Sequence, residues 1–444
     1  MRIDLKRRLW QLTLPVFVDI ALLMLVGCVD TIMLSHCGDN PVAAVGVVNS
    51  LMSLVFLIYQ FLATGSGVLC AQYCGAKDLG AFVRTASLAI VLNAAIGLGV
   101  SAALYLWPRT FLSLMDLNPE LMVHAETYLR ITGSLAFFPA ISLCLGAILR
   151  SSGRVVPPMV ANIAANLVNV TGNYLLIFGR CGLPELGVEG AAWASAFARM
   201  VSFALLACYA ARLLRRLKIK PLKPLVPRLK DLWDLTRVAV PAMSEELSYC
   251  LSQIAVLYFI NRISTDALAT KTYCANLIMF VFLFCLAATH GGDILIGHLV
   301  GRHRYRPAYL VGTLFMRRSM AVTLVCSSAL ALAGPFILRQ LTANPAIVRT
   351  GTIVLAIDVI LEIGRVRNIF ACGTLRATGD VVYPVVVGVI VQWTVGVGVA
   401  CLLGLPCGLG LVGIWLGFML DENLRGVILM RRWHSGRWRG KAFA

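Results

Sequence analysis

Asp19 and Asp30 stand in one long apolar run near the start of the chain. At about 100° per residue the interval between them closes three helical turns, so both carboxyls lie on one face. A later apolar run holds Asn162, Asn166, Asn169 and Asn173, whose spacings of 4, 3 and 4 align four amides along a single stripe. Asn162 and Asn166 suit hydrogen bonding between helices. Asn169 and Asn173, deeper and one turn apart, can offer carbonyl oxygens to a hard cation. A carboxylate facing them makes either an oxygen cage for Na⁺, centred on Asp30, Asn169 and Asn173, or a hydrogen-bond network around an Asp that carries a proton. The second half has its own ionisable groups: Glu245, Glu246, His290, Asp358 and Glu362, with Arg365 and Arg367 beyond. Glu362 and Arg365 also fit a purely structural i,i+3 pair. Asp19, Glu245, His290, Asp358 and Glu362, with Tyr59, Gln60 and Tyr249, are candidate linings of a substrate cavity. A lone histidine, a tyrosine or a glutamine in such a run equally suits helix packing. Ionisable groups in a membrane span are costly unless paired or hydrated, which makes each a functional candidate.

The elements that carry these residues follow from composition. Of 444 residues 59% are hydrophobic and 14% charged, far from the roughly 45–50% apolar and about 25% charged of soluble domains and equally far from disorder. Twelve apolar runs are each long enough for a helix of roughly 20 residues to cross a bilayer. They fall at 10–35, 43–74, 83–107, 127–149, 157–179, 187–211, 233–261, 267–300, 309–338, 346–371, 381–404 and 409–430. The fold class is therefore an all-α integral membrane protein of twelve transmembrane helices. No cleavable signal peptide is expected at Lys6, Arg7 and Arg8.

The chain carries 39 Lys+Arg against 21 Asp+Glu, a net charge of +18. The cations crowd alternate connections: the N-terminus, Lys77 and Arg84, Arg150 and Arg154, Arg212 to Lys230, Arg302 to Arg318, Arg376 and the C-terminal tail. The intervening connections, with Asp39, Asp116, Glu120, Glu126, Glu185 and Glu189, are poorer in cations. That asymmetry places both termini in the cytoplasm, in the inner membrane of a cell. It also explains the basic charge without a nucleic-acid partner, since the basic runs lack interleaved aromatics. The 14 cysteines show no C-x-x-C or metal-type spacing and behave as small hydrophobes.

The chain repeats itself. "LPVFVD" around Pro15 answers "VPAMSE" around Pro241, Gly75 answers Gly301, and "LRSSG" ending at Gly153 answers "LRATG" ending at Gly379, all at one constant offset in the numbering. After a three-residue deletion, "LGVEGAAWA" at 186–194 answers "LGLVGIWLG" at 409–417. By the same offset Glu245 stands where the first half has Asp19, and His290 where it has Thr64. Two six-helix lobes follow: 1–211, a basic cytoplasmic linker at 212–232, and 233–444 with a short basic tail. Six helices per half make the repeat parallel, with a pseudo-twofold along the membrane normal. Transporters commonly take this form, with the solute site near the lobe interface and alternating access.

With these motifs in hand, the sequence resembles the multidrug and toxic compound extrusion (MATE) transporters along nearly its whole length. The matching elements are "LPVFVDIALLMLVGCVDTIMLSHCG", "GAKD", "ILRSSGRVVPPMVANIAANLVNVTGNYLLIFG", "LGVEGAAWASA", "LRATGDVVYP" and "GIWLGFMLDENLRGVILMRRWHSGRW". The resemblance implies an antiporter that exports amphipathic or cationic compounds against entry of Na⁺ or H⁺. It implies that Asp30 is the ion-coupling acid of the first helix and Asn169 an asparagine of the same site. One turn later the family often has Asp where Asn173 stands, and a Thr where Ser195 stands. Some branches carry a carboxylate at the position of Tyr249, whereas the acids here come earlier, at Glu245 and Glu246.

The sequence therefore reads as an ion-coupled exporter of organic small molecules, embedded in the lipid bilayer as a monomer and without a cofactor. A flippase for a lipid-linked substrate is the rival, kept open by Arg199, Arg365 and Arg367. A membrane-embedded enzyme is remote, because no H-E-x-x-H helix, G-x-S-x-G turn or clustered Asp set is present.

Overall fold

A computed structural model describes residues 2–115, 119–182, 184–216 and 228–443. Asp116 and the central part of the expected basic linker lie outside them. Every element is helical among the described residues. The chain divides into two compact units, one of Val18–Ala239 and one of Met1–Phe17 with Val240–Ala444.

The first unit takes most of α1 (Arg2–Ser35), then α2 (Asp39–Ala76), α3 (Leu79–Leu106), the short α4 (Pro108–Ser113), α5 (Pro119–Ser134) and α6 (Phe137–Ser151). It is completed by α7 (Val156–Ile177), α8 (Gly187–Arg216) and the start of α9 (Leu229–Ile263). The second unit holds the rest of α9, α10 (Thr265–Gly301), α11 (Tyr305–Leu341), α12 (Pro345–Ala377) and α13 (Val382–Val391). There α13 widens into a π-helical stretch, Gln392–Val399, before α14 (Ala400–Gly404) and α15 (Gly410–His434).

Among the described residues seven helices are individually long and apolar enough to cross a membrane, and α5 with α6 adds an eighth if that pair, bent by 48°, is one span. The apolar run expected at 127–149 is thus broken, with Pro139 in the first turn of α6, where a proline costs no hydrogen bond. Of the ionisable residues singled out above, Asp19 and Asp30 lie on α1, Glu245 and Glu246 on α9, His290 on α10, and Asp358, Glu362, Arg365 and Arg367 on α12; α15 adds Asp421 and Glu422.

The repeat is written into the backbone. Among the described residues only two that are not glycine take a left-handed conformation, Lys77 (φ 62°) and His303 (φ 56°), and they stand at the offset of the repeat. Gly153 (φ 82°) and Gly379 (φ 92°) share that offset, while Gly187 (φ 53°) and Gly410 (φ 57°) keep it shortened by the deletion. Each pair stands at the same turn of its own unit, between successive spans. Prolines also recur inside α1 (Pro15) and α9 (Pro241).

Side-chain caps and small residues complete the packing. Asp78 accepts from the Ala81 amide at 2.9 Å and opens α3; Ser264 does the same for α10 at 3.0 Å. In the first unit Val48, Met52, Tyr59, Leu104, Leu129 and Ile177 belong to one buried apolar cluster. In the second, α12 and α15 touch through backbone: a Cβ on Gly364 would stand 2.4 Å from the Asn423 nitrogen, and one on Gly426 2.8 Å from the Gly364 oxygen. Glycine is what lets two helices approach so closely in lipid. Gly364→Ala is expected to cost about 1–3 kcal/mol by forcing backbone apart. Gly46→Ala, with nothing within 4 Å of the new methyl, should stay within about 0.5 kcal/mol. Thermal unfolding of the two purified variants checks both.

Candidate functional site

In the first unit α1 and α7 meet through two rungs of matching interval. Asn162 Nδ2 donates to Asp19 Oδ1 at 2.5 Å, and Asn173 Nδ2 donates to Asp30 Oδ1 at 2.6 Å. The interval between the two acids equals the interval between the two amides. Two helices running side by side in one direction present such intervals in step. The lower rung has further partners: Arg150 Nη1 lies 3.9 Å from Asp19 Oδ2, and Ser202 Oγ donates to Asn162 Oδ1 at 3.4 Å.

The upper rung is less satisfied. Asn169 Nδ2 donates to Ser195 Oγ at 3.2 Å. The side-chain oxygens of both Asn169 and Asn173 are buried without a hydrogen-bond partner. Together with the second oxygen of Asp30 they are the donor set a hard cation takes. No group of three or more His, Cys, Asp or Glu side chains is arranged to hold a metal ion among the described residues, so any cation held here would rest on one carboxylate and neutral oxygens. Thus Asp30, Asn169, Asn173 and Ser195 are brought together.

A fifth member is Arg199, which the sequence marks only as a cation favouring the rival reading. It lies near enough to Asp30, Tyr59 and Tyr128 for their charges to interact, its guanidinium sits 5.4 Å from the centre of the Phe56 ring, and its Nη1 has no hydrogen-bond partner. Position alone is the signal that finds it: an arginine in an apolar helix is subject to the same rule as an aspartate. Tyr59 is fully buried in the core while Gln60 is exposed. Asn93, which carries no motif, donates to the Tyr59 and Ala140 carbonyls at 3.1 and 2.8 Å and so fixes that core.

The second unit holds two further groups. In one, Arg376 Nη2 donates to Glu245 Oε2 at 2.8 Å and the Cys372 thiol donates to Glu245 Oε1 at 3.2 Å. Asp293, not singled out from the sequence, lies close to Arg376, and its Oδ1 has no partner. The pair Glu245–Arg376 repeats the pair Asp19–Arg150 at the offset of the duplication. The first-helix acid and the arginine of the "LR-x-x-G" turn therefore form the same clamp in each unit. His290, one turn before Asp293, is exposed.

The other group lies between α12 and α15. Arg365 pairs with Glu362 and lies 4.0 Å from Glu422; Arg425 pairs with Asp421 and lies 3.3 Å from Glu422. Asn368 donates to Glu422 at 2.8 Å and the Trp415 indole to Asp358 at 3.2 Å. Glu362 is wholly buried and Asp358 nearly so; Glu362 Oε2 and Asp421 Oδ1 have no partner. Tyr249 is near enough to feel Arg365, Glu422 and Glu246. Four carboxyls thus share two guanidiniums. The i,i+3 spacing of Glu362 and Arg365 is legible in the sequence, whereas Asp421, Glu422 and Arg425 enter it only within a motif.

Removing one partner of a half-buried ion pair strands the other charge. Arg376→Met alone should therefore destabilise the protein more than Arg376→Met combined with Glu245→Gln, with a coupling of about 1–3 kcal/mol. Thermal unfolding of the two single variants and the double closes that cycle.

Comparison with known proteins agrees with this architecture. Residues 15–175 and 241–402 match the family described as MatE. The chain is 35% identical to an uncharacterized transporter, YisQ, of Bacillus subtilis, over 98% of its length and 96% of that protein's. It is 26% identical to a probable multidrug resistance protein NorM of Thermotoga maritima, over 99% and 94% of the two chains. Among solved structures, a variant of the Vibrio cholerae MATE transporter VcmN superposes with a TM-score of 0.89 at 17% identity, covering 99% of each chain. An outward-facing multidrug resistance MATE family transporter of the MOP superfamily gives 0.87 at 17% identity, over 98% and 97%. At such identity the structures speak for the fold, an all-helical one of two lobes. The family match and the full-length relatives together place this chain in the MATE family of membrane transporters.

Proposed function

We propose that this protein exports amphipathic or cationic organic compounds across the cytoplasmic membrane by alternating access, in exchange for entering Na⁺ or H⁺, with Asp30 as the coupling carboxyl. The observation that carries the reading is the 2.6 Å contact between Asp30 and Asn173 beside two buried amide oxygens without partners. An ion or proton arriving at Asp30 changes what Asn173 and its neighbours bond to, and so discriminates between conformations. Without such a difference in affinity an ion cannot shift the equilibrium between access states.

Cation attraction belongs to the other unit. Asp358, Glu362, Asp421 and Glu422 outnumber Arg365 and Arg425 by two charges when all are ionised. In a low-dielectric interior that surplus favours an organic cation. The same pairing weighs against the flippase reading, since a pyrophosphate would meet guanidiniums already held by carboxylates. The relatives of the chain, probable multidrug resistance proteins among them, support export rather than enzymatic chemistry. Monomeric action and cytoplasmic termini complete the proposal; reactivity of single cysteines placed at the two ends of the chain would report the orientation.

Asp30→Asn is expected to abolish substrate-driven ion exchange in proteoliposomes, at least about tenfold at any pH or Na⁺ concentration. Transport by that variant equal to the unaltered protein under every condition would remove Asp30 from the mechanism. Asn173→Leu should weaken coupling in the same direction while leaving equilibrium substrate binding, read by fluorescence, nearly unchanged. Imposing a pH gradient and a Na⁺ gradient separately identifies the coupling ion.

A further inference from the structure

Outside the membrane-buried clusters, the turn between α10 and α11 forms a cavity of about 640 Å³ with an unusual lining. Arg304, Arg306 and Arg439 converge on it, with Tyr305, Tyr309 and Leu310, and no carboxylate lines it. All three arginines are exposed, and none forms an ion pair among the described residues. The carboxylate in this region, Asp380, is itself buried and already held by Arg432 at 2.8 Å and Lys441 at 2.6 Å. It has no capacity left to neutralise them.

The cationic side chains are carried on fixed backbone. His303 takes its left-handed turn with its amide on the Val300 carbonyl at 2.8 Å, and the Arg304 amide reaches Leu299 at 2.9 Å. Arg439 follows Trp438, which is wholly buried, stacks on Trp433 at 4.7 Å and donates its indole N–H to the Trp433 carbonyl. Tyr309 is tied to His434 at 2.7 Å. Three guanidiniums so placed form a site for an oxyanion, for which the planar, multiply donating guanidinium is the best-suited cation.

The repeat supplies an internal comparison. The corresponding turn of the other unit has Asp78 at the position of Arg304, and Asp78 caps its helix by accepting from Ala81. α11 receives no side-chain cap from Arg304. The same turn has therefore been recast from one that supplies an anion to one that awaits it.

The chemistry one turn further along α11 names the source of that anion. Leu310 is 58% exposed on a helix apolar and long enough to cross the bilayer. A ligand seated here meets arginines at the start of a membrane-length helix and an apolar side chain one turn along it, as a phospholipid does. We infer that the α10–α11 turn is a binding site for the phosphate headgroup of an anionic phospholipid, clasped by Arg304, Arg306 and Arg439.

The test uses the full-length protein in detergent with added phosphatidylglycerol or phosphatidylcholine, reading retained lipid by native mass spectrometry. The unaltered protein should retain phosphatidylglycerol in preference to phosphatidylcholine. Arg304→Gln with Arg306→Gln should lower that retention about thirtyfold, at roughly 1 kcal/mol for each of the two basic residues near the headgroups. Arg439→Gln, a change at an exposed side chain outside the helices, should lower it severalfold. Arg262→Gln, at an exposed position at the C-terminal end of α9 in the same unit, should leave it unchanged. Undiminished retention in both the double variant and Arg439→Gln would overturn the site. Displacement of the lipid by inorganic phosphate alone would overturn the choice of a lipid, because free phosphate would then suffice. Binding is read without transport, so the result stands apart from the proposal for Asp30.

Discussion

A bilayer interior cannot solvate a polar group, and this protein carries many inside its helices. Each must therefore find its partner within the protein, and the arrangement of helices is in large part the solution to that requirement. Two rungs tie α1 to α7, an acid–arginine clamp recurs in each unit, and the contact of α12 with α15 is arranged around four carboxyls and two guanidiniums. Apolar packing fills the remaining volume but is indifferent to which helix faces which, since lipid tails are as apolar as leucine. Polar pairing supplies the specificity.

Seen this way, the groups left without partners are the informative ones. The oxygens of Asn169 and Asn173, the Arg199 guanidinium, Glu362 and Asp421 all retain unused bonding capacity in buried positions. An unpaired buried polar atom costs about 1–3 kcal/mol, and a protein free to remove it by substitution would gain stability. Those named here lie near Asp30 in one unit and between α12 and α15 in the other. The lower rung at Asp19, by contrast, spends its capacity on Asn162 and Arg150.

Much of this is legible in the sequence, and the limits have physical causes. The stripe of asparagines and the interval between Asp19 and Asp30 depend only on helical periodicity, which α1 and α7 obey. That the two intervals are in step, acid to amide, depends on the relative placement of two helices, which no single helix's spacing contains. The constant offset between the halves foretells which acid and arginine correspond, and the shared clamp gives that correspondence a reason. What escapes is set by tertiary packing: the bend between α5 and α6, the role of Arg199, and the company that Asp421, Glu422 and Arg425 keep. The π-helical stretch escapes as well. It is wound wide where Gly396 presses on Asp421, 3.1 Å from where its Cβ would be, and where Gln392 and Trp393 donate to Ser252 and Ser248.

That stretch has a bearing on the duplicated architecture. Up to Gly379 the two halves keep a common register, and by Gly410 the offset has shortened, with the widened turns lying between. Asn169 and Asn173 correspond by the earlier offset to Val395 and Val399, inside those turns. The second half thus has neither the amide stripe nor regular winding in that segment, while α15 beyond it carries Asp421, Glu422 and Arg425. Each molecule consequently carries a built-in control: a substitution made in the first four spans has a counterpart of known position in its own second half, and the segment where the counterparts cease to match is where the two halves parted company.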